Sequence, residues 1–292
     1  MYAHINKTKI FYDVDGQGIE IDGDRLKEKP VVFVIHGGPG GCHITFKPYL
    51  DELTKTAQLV YIDQRGCGFS EKDDPDNYTL TQNVEDVEAL RQHLGLEKIW
   101  ILGHSYGGIV AMSYAVKYEK NVAGLILAAT SPSYSFLEKA KKHVEQFGNA
   151  EQIAMANLLW DGKFESIEQL QEYDKIMGPL YSKVVADSDS HSLATVKRPP
   201  LERNVEAANK GFAEFLRTYD VRGELKELNV PALILAGYHD WITARSESEE
   251  IHELIDKSEL HILKDSSHSL FSDENELTNK LMSEFLVRHS SQ

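Results

Sequence analysis

The chain has 292 residues, 41% hydrophobic and 26% charged, with 29 Gly plus Pro, a composition that excludes collagen-like, disulfide-scaffold and disordered classes. Lys and Arg total 31 against 46 Asp and Glu, a formal charge of −15 that repels phosphate backbones and anionic membrane surfaces. Nucleic acid is therefore excluded as a partner, and the acidity serves solubility first.

The N-terminal residues alternate Ile5, Ile10, Tyr12 and Val14, which predicts an antiparallel edge hairpin. They contain no apolar core of a signal peptide. Short apolar runs follow at 31–35, 59–62, 99–102, 125–128, 232–236 and 260–263. Runs without alternation belong to strands covered on both faces, which means a mostly parallel sheet. Helical patterns lie between them at 81–94, 105–118, 247–255 and 274–288. This alternation is the α/β signature.

It stops between about 131 and 220. That stretch predicts helices at 135–147, 150–159, 166–177 and 201–216, with Pro199 and Pro200 breaking the series. The expected organisation is an α/β core of residues 1–130 and 220–292 carrying a helical cap of residues 131–219. No apolar run approaches the ~20 residues of a membrane span. Two cysteines, Cys42 and Cys67, fit a reducing compartment without disulfides. A soluble, cytoplasmic chain, monomeric by default, is the expectation.

The chemistry centres on Gly103-His104-Ser105-Tyr106-Gly107-Gly108, between a predicted strand and a predicted helix. G-x-S-x-G in that context is a nucleophile elbow, whose turn is so tight that side chains two positions either side of Ser105 would clash. The second motif is His36-Gly37-Gly38-Pro39-Gly40-Gly41, after the strand at 31–35. A glycine-rich turn there can aim N–H groups at a developing oxyanion, and Gly38 and Tyr106 are the expected donors. It lacks the GxGxxG and trailing Lys of phosphate-binding loops.

A serine nucleophile needs a base, and the base an orienting carboxylate. His268 stands in a loop after a late strand, where such a base belongs. Its competitors fit less well. His104 is committed to the elbow, His36 precedes the glycine loop, and His252, His261 and His289 fall on helix or strand patterns. Asp240, just past the strand at 232–236, is the expected acid, with Asp220 and Asp265 as weaker alternatives.

Together HGGPGG at 36–41, DQRGCGFS at 63–70, DVEALR at 86–91, GHSYGG at 103–108, GYHD at 237–240 and Ser267-His268 resemble the proline iminopeptidase family of α/β-hydrolase-fold serine hydrolases. The resemblance implies a catalytic set of Ser105, Asp240 and His268, an oxyanion hole of Gly38 and Tyr106, and no cofactor or metal. It also implies release of an N-terminal residue, often proline, from short peptides. Family members hold the substrate ammonium with glutamates. One lies in a cap motif whose nearest match is Gly211-Phe212-Ala213-Glu214-Phe215, which makes Glu214 the candidate. A second often follows the triad aspartate, where this chain has Trp241. Glu214, Trp241 and Gly37 are the expected substrate-binding residues. The exchange of a carboxylate for an indole makes the pocket more apolar. A carboxylesterase, amidase or lactonase acting on small acyl substrates is the alternative activity, and a non-catalytic ligand receptor on the same fold is a third reading. A metal-dependent hydrolase is disfavoured, because neither HExxH nor a Cys/His cluster occurs.

Overall fold

The structure, a computed structural model, describes residues 1–187 and 203–290. In chain order the strands are β1 (Tyr2–Ile5), β2 (Thr8–Asp15), β3 (Ile19–Asp22), β4 (Arg25–Glu28), β5 (Val31–Ile35), β6 (Gln58–Ile62), β7 (Ile99–His104), β8 (Val122–Ala128), β9 (Ala232–Gly237) and β10 (Ser258–Leu263). The helices are α1 (Leu80–His93), α2 (Tyr106–Tyr118), α3 (Ser135–Phe147), α4 (Ala150–Asp161), α5 (Ile167–Tyr181), α6 (Lys183–Asp187), α7 (Val205–Ala213), α8 (Arg222–Leu225), α9 (Arg245–Leu254), α10 (Leu270–Asp273) and α11 (Asn275–His289).

Eight strands form one sheet in the order β1-β2-β6-β5-β7-β8-β9-β10. Pairing is parallel from β6 through β10, while β1 and β2 attach antiparallel at the edge. The mostly parallel sheet is the one the alternation predicts, and the arrangement is the α/β-hydrolase fold that the resemblance implies. The apolar runs have a direct physical cause. On β5, Phe33 and Ile35 enter one core while Val32 and Val34 enter the other. Ile101 and Leu102 of β7, like Leu127 and Ile126 of β8, divide between the same two cores. A strand with helices on both faces needs apolar residues at every position.

The helices α3 to α7 are inserted between β8 and β9. Their entry and exit run side by side, for Tyr134 N–H donates to Tyr219 O at 2.7 Å and Val221 N–H to Pro132 O at 3.0 Å. Two predicted helices differ in extent. The helix expected at 201–216 is α7, which starts after Asn204 because that side chain accepts the Ala207 N–H, and it ends at Ala213. Residues 201 and 202, and the predicted break at Pro199 and Pro200, lie outside the described residues. The helix expected at 166–177 continues to Tyr181 through Pro179, whose missing N–H falls within the last turn. The β3–β4 hairpin carries no apolar run to announce it, since Ile21 and Leu26 are exposed. Among the described residues, no helix is long and apolar enough to cross a membrane.

Candidate active site

The turn from β7 into α2 forces Ser105 to φ 55°, ψ −122°, a conformation a non-glycine residue adopts only under constraint. The constraint is visible on both sides. Ser105 N–H donates to Ala128 O at 2.9 Å, and Thr130 Oγ1 donates to Ser105 O at 2.8 Å. A methyl group on Gly107 would overlap the Ile35 carbonyl. The elbow therefore sits at the carboxyl end of the sheet with its serine held away from the helix it begins.

His268 follows β10 and is buried. Its Nδ1 lies 2.8 Å from Asp240 Oδ2. Asp240 is buried as well, and its carboxylate is fully served. Oδ1 accepts the N–H groups of Ile242 at 2.9 Å and Thr243 at 3.0 Å, and Oδ2 also accepts Thr243 Oγ1–H at 2.8 Å. A buried carboxylate needs this many donors. They also fix its orientation, so that one oxygen faces the imidazole. Thr243 escaped the sequence reading, although Asp-x-x-Thr before a helix is a recognisable side-chain turn.

His104 packs its ring 4.9 Å from that of His268. Burial first, and then the neighbouring His268, push its pKa down to about 3. The neutral ring donates from Nε2 to the His268 carbonyl at 2.9 Å, which supports the histidine loop from below. Burial likewise lowers the pKa of His36, and its Nε2 accepts the Gln64 N–H at 3.0 Å. His36 thereby joins the glycine loop to the DQRGCGFS turn. Cys67, inside that turn, is buried, and burial pushes its thiol up to about 12.

Ser105 and His268 line one cavity of about 300 Å³ together with Gly37 and Gly38. Gly38 has φ 131°, and a Cβ there would stand 2.7 Å from Gly40 N, so the loop admits only glycine at this place. Tyr106 opens α2, and the first N–H groups of a helix have no partner within it. Its phenol is turned away and accepts from Asn83 Nδ2 at 2.8 Å.

The remaining expected residues are placed differently. Glu214 does not line the cavity. It is 61% exposed at the end of α7 and faces Lys210 at 3.5 Å. The helix stops at Ala213, and it is Phe215, the residue after Glu214, whose ring lies 5.7 Å from that of Tyr106. Trp241 is buried, meets Tyr181 at 5.4 Å and Trp160 at 6.1 Å edge to face, and is not among the lining residues. Tyr181 in turn meets the His268 ring edge-on at 5.4 Å.

The wall contributed by the insertion holds residues without a sequence signal. Asp174 and Arg203 line the cavity and pair through Arg203 Nη1, at 2.9 and 2.8 Å from the two carboxylate oxygens. Burial raises the Asp174 pKa against the pull of Arg203. They stand 29 positions apart in sequence and meet because α5 and α7, which Arg203 precedes, both pack against α4. Asn204 is the other missed residue. Its N–H donates to Gly40 O at 2.9 Å, and its Nδ2 donates to Gly66 O at 2.8 Å. An Asn ahead of a helical run is an N-cap signal and marks the position.

A strained serine, a histidine–carboxylate pair and a glycine loop around one cavity can carry out acyl transfer. Known proteins agree at the level of family. The model of the alpha/beta hydrolase fold family matches residues 30–275. A proline iminopeptidase of Pestalotiopsis fici is 30% identical over 275 residues, covering 90% of this chain and 96% of its own. One from Thermoplasma volcanium is 28% identical, covering 90% of each chain. Among solved structures, an alpha/beta fold family hydrolase from Bacillus anthracis superposes with a TM-score of 0.78 at 21% identity, covering 98% of each chain. The proline iminopeptidase of Mycobacterium smegmatis does so with 0.72 at 20%, covering 99% of this chain and 98% of its own. The chain therefore belongs to the α/β hydrolase fold family and, within it, to the proline iminopeptidase family of serine hydrolases.

Proposed function

We propose that the chain removes an N-terminal residue, proline preferred, from short peptides through an acyl-enzyme on Ser105. The observation that carries the reading is the strained Ser105 on one cavity wall with the His268–Asp240 pair. Ser105 Oγ attacks the scissile carbonyl while His268 Nε2 takes its proton. Asp240 holds the imidazole in the tautomer whose Nε2 is free, and stabilises the imidazolium that forms. The N–H groups of Gly38 and Tyr106 receive the negative charge of the tetrahedral intermediate. His268 then gives the proton to the leaving amine, and the acyl-enzyme remains. Water, deprotonated by the same His268, attacks the ester and releases the residue with Ser105 restored. In this reading residues 131–219 act as a cap over a core formed by 1–130 and 220–292. The relatives named proline iminopeptidase support the substrate preference.

A second reading, a carboxylesterase, amidase or lactonase, is favoured by one feature. Glu214 stands outside the cavity and faces Lys210 instead of a substrate ammonium. The deciding experiment is the ratio of kcat/KM for a prolyl arylamide with a free amino terminus to that for its N-acetylated form, with Ser105→Ala as blank. A ratio far above one is the expected result. A ratio near or below one, with turnover of simple esters, establishes the second reading. Full activity in Ser105→Ala removes both.

A further inference from the structure

Helix α5 ends at Tyr181 and α6 begins at Lys183, so two sets of backbone groups lose their helical partners at one junction. The last carbonyls of α5 need donors, and the first N–H groups of α6 need acceptors. The loop that carries His268 serves the first set. Ser267 Oγ donates to Leu180 O at 2.6 Å, and Ser269 N–H donates to Tyr181 O at 2.8 Å. One carboxylate serves the second set. Asp273, the last residue of α10, accepts the Lys183 N–H on Oδ2 at 3.1 Å and the Val184 N–H on Oδ1 at 3.3 Å. Oδ1 also accepts Ser182 Oγ–H at 2.5 Å, and Oδ2 accepts the N–H of Ser267, directly before His268, at 2.9 Å. Asp273 therefore joins the histidine loop to a segment of the insertion that stands 89 to 91 positions earlier.

Its neighbour shows what a local brace looks like. Glu274 Oε2 accepts the Asp265 N–H at 3.0 Å and Ser266 Oγ–H at 2.7 Å, and so holds the same loop from within the core. Asp273 reaches across to the insertion as well. The junction it grips belongs to the cavity, since Gly178 and Tyr181 line it and the Tyr181 ring meets that of His268 at 5.4 Å. We infer that Asp273 is a positioning residue: by holding Ser267 and residues 182–184 together, it sets the place of the His268 imidazole relative to Ser105 and to the wall that Tyr181 carries. The inference rests on the reading of Ser105, His268 and Asp240 as the catalytic set. Asp273 does not line the cavity, so it acts through His268 alone. A misplacement of about 1 Å costs up to about 10²-fold in rate, so this link bears on the chemical step and leaves binding nearly unchanged.

A fluorophosphonate tests the idea without a known substrate. Ser105 Oγ bonds to phosphorus, fluoride leaves, and His268 takes the hydroxyl proton, so the reaction needs the same base. Saturation kinetics separates binding of the reagent from phosphonylation. Asp273→Ala should slow phosphonylation at least about tenfold, with binding within about threefold of the parent. Asp273→Asn keeps an acceptor for Ser267 and Lys183 and offers its amide N–H to Ser182 Oγ, so it should restore the rate to within about threefold. Ser182→Ala cuts the insertion side of the link only. It should slow phosphonylation at least about threefold, and adding it to Asp273→Ala should cost nothing more, because both break one connection. Assays at least about 15 °C below each melting temperature keep every variant folded, and Ser182→Ala decides alone where Asp273→Ala does not fold. An unchanged rate in Asp273→Ala or Ser182→Ala, a loss confined to binding, or additive losses in the double variant overturns the inference. A parent chain that the reagent leaves unlabelled overturns the catalytic reading and this inference with it. The prolyl arylamide ratio bears on the substrate alone, so its failure and failure of the present test are separate results.

Discussion

Ser105 keeps a backbone conformation that its neighbours impose, and Asp240 keeps an orientation that four donors impose. The two residues show how the site is prepared before any substrate arrives. Asp240→Asn separates orientation from bulk. The amide oxygen can keep the N–H bonds of Ile242 and Thr243, so the loop retains its shape. The amide nitrogen then faces His268 Nδ1 and donates to it. That moves the ring proton to Nε2, where a base is required. We expect kcat to fall by about 10⁴-fold with little change in melting temperature. Steady-state kinetics beside a thermal melt provides the check, and a loss below tenfold would mean that Asp240 does not orient the base.

At the scale of elements, the N-terminus of α7 connects the insertion to the glycine loop and to the 63–70 turn. Asn204 caps the helix by accepting the Ala207 N–H at 3.1 Å, and its two donors hold Gly40 and Gly66. The C-terminal end of α5 is tied to the histidine loop, where Ser269 N–H donates to Tyr181 O at 2.8 Å and Ser267 Oγ donates to Leu180 O at 2.6 Å. The insertion therefore braces both loops that face the cavity. Asn204→Ala removes the cap and one tether, and should cost about 1 kcal/mol, or at least about 2 °C in melting temperature. Asn204→Asp keeps the cap acceptor but loses the Nδ2 donor to Gly66. Its buried carboxylate then faces the Gly66 carbonyl, so stability should fall at least as far as in Asn204→Ala, and kcat should fall as the 63–70 turn, which His36 joins to the glycine loop, loosens. Equal activity of both variants and the parent would show that the tether does not organise the loop.

For the whole molecule, one contribution to stability in acid comes from Glu88, a carboxylate that does not line the cavity. Burial alone would raise the Glu88 pKa, but hydrogen bonds from Arg91, Tyr114 and Gln92 hold it down to about 2, against 4.5 for an ordinary glutamate. Glu88 thus joins α1 to α2 through the Tyr114 hydroxyl, 2.7 Å away. A depressed folded-state pKa contributes stability above pH 4.5 that is lost as the pH falls toward 2. Glu88→Gln should lower the melting temperature at pH 7 and flatten its decline between pH 4.5 and 2. Parallel melting curves for the two proteins across that interval would exclude Glu88 as a contributor.

The sequence by itself determined the sheet, the elbow, the glycine loop and the order serine, aspartate, histidine. Each depends on local chemistry: apolar runs that must be covered on both faces, glycines that a tight turn requires, and loops that end particular strands. The tertiary structure alone decided the cavity wall. Glu214 stands where the resemblance implies a substrate ligand, yet it is exposed one helical turn after Lys210 and pairs with it. Asp174 and Arg203 have no motif, yet packing of the inserted helices makes them the charged pair of the wall. Helices in an insertion share only a need for an apolar face, which many rotations and lengths satisfy. The residues they turn toward a cavity therefore depend on how the helices pack against one another and against the sheet, and no short stretch of sequence records that.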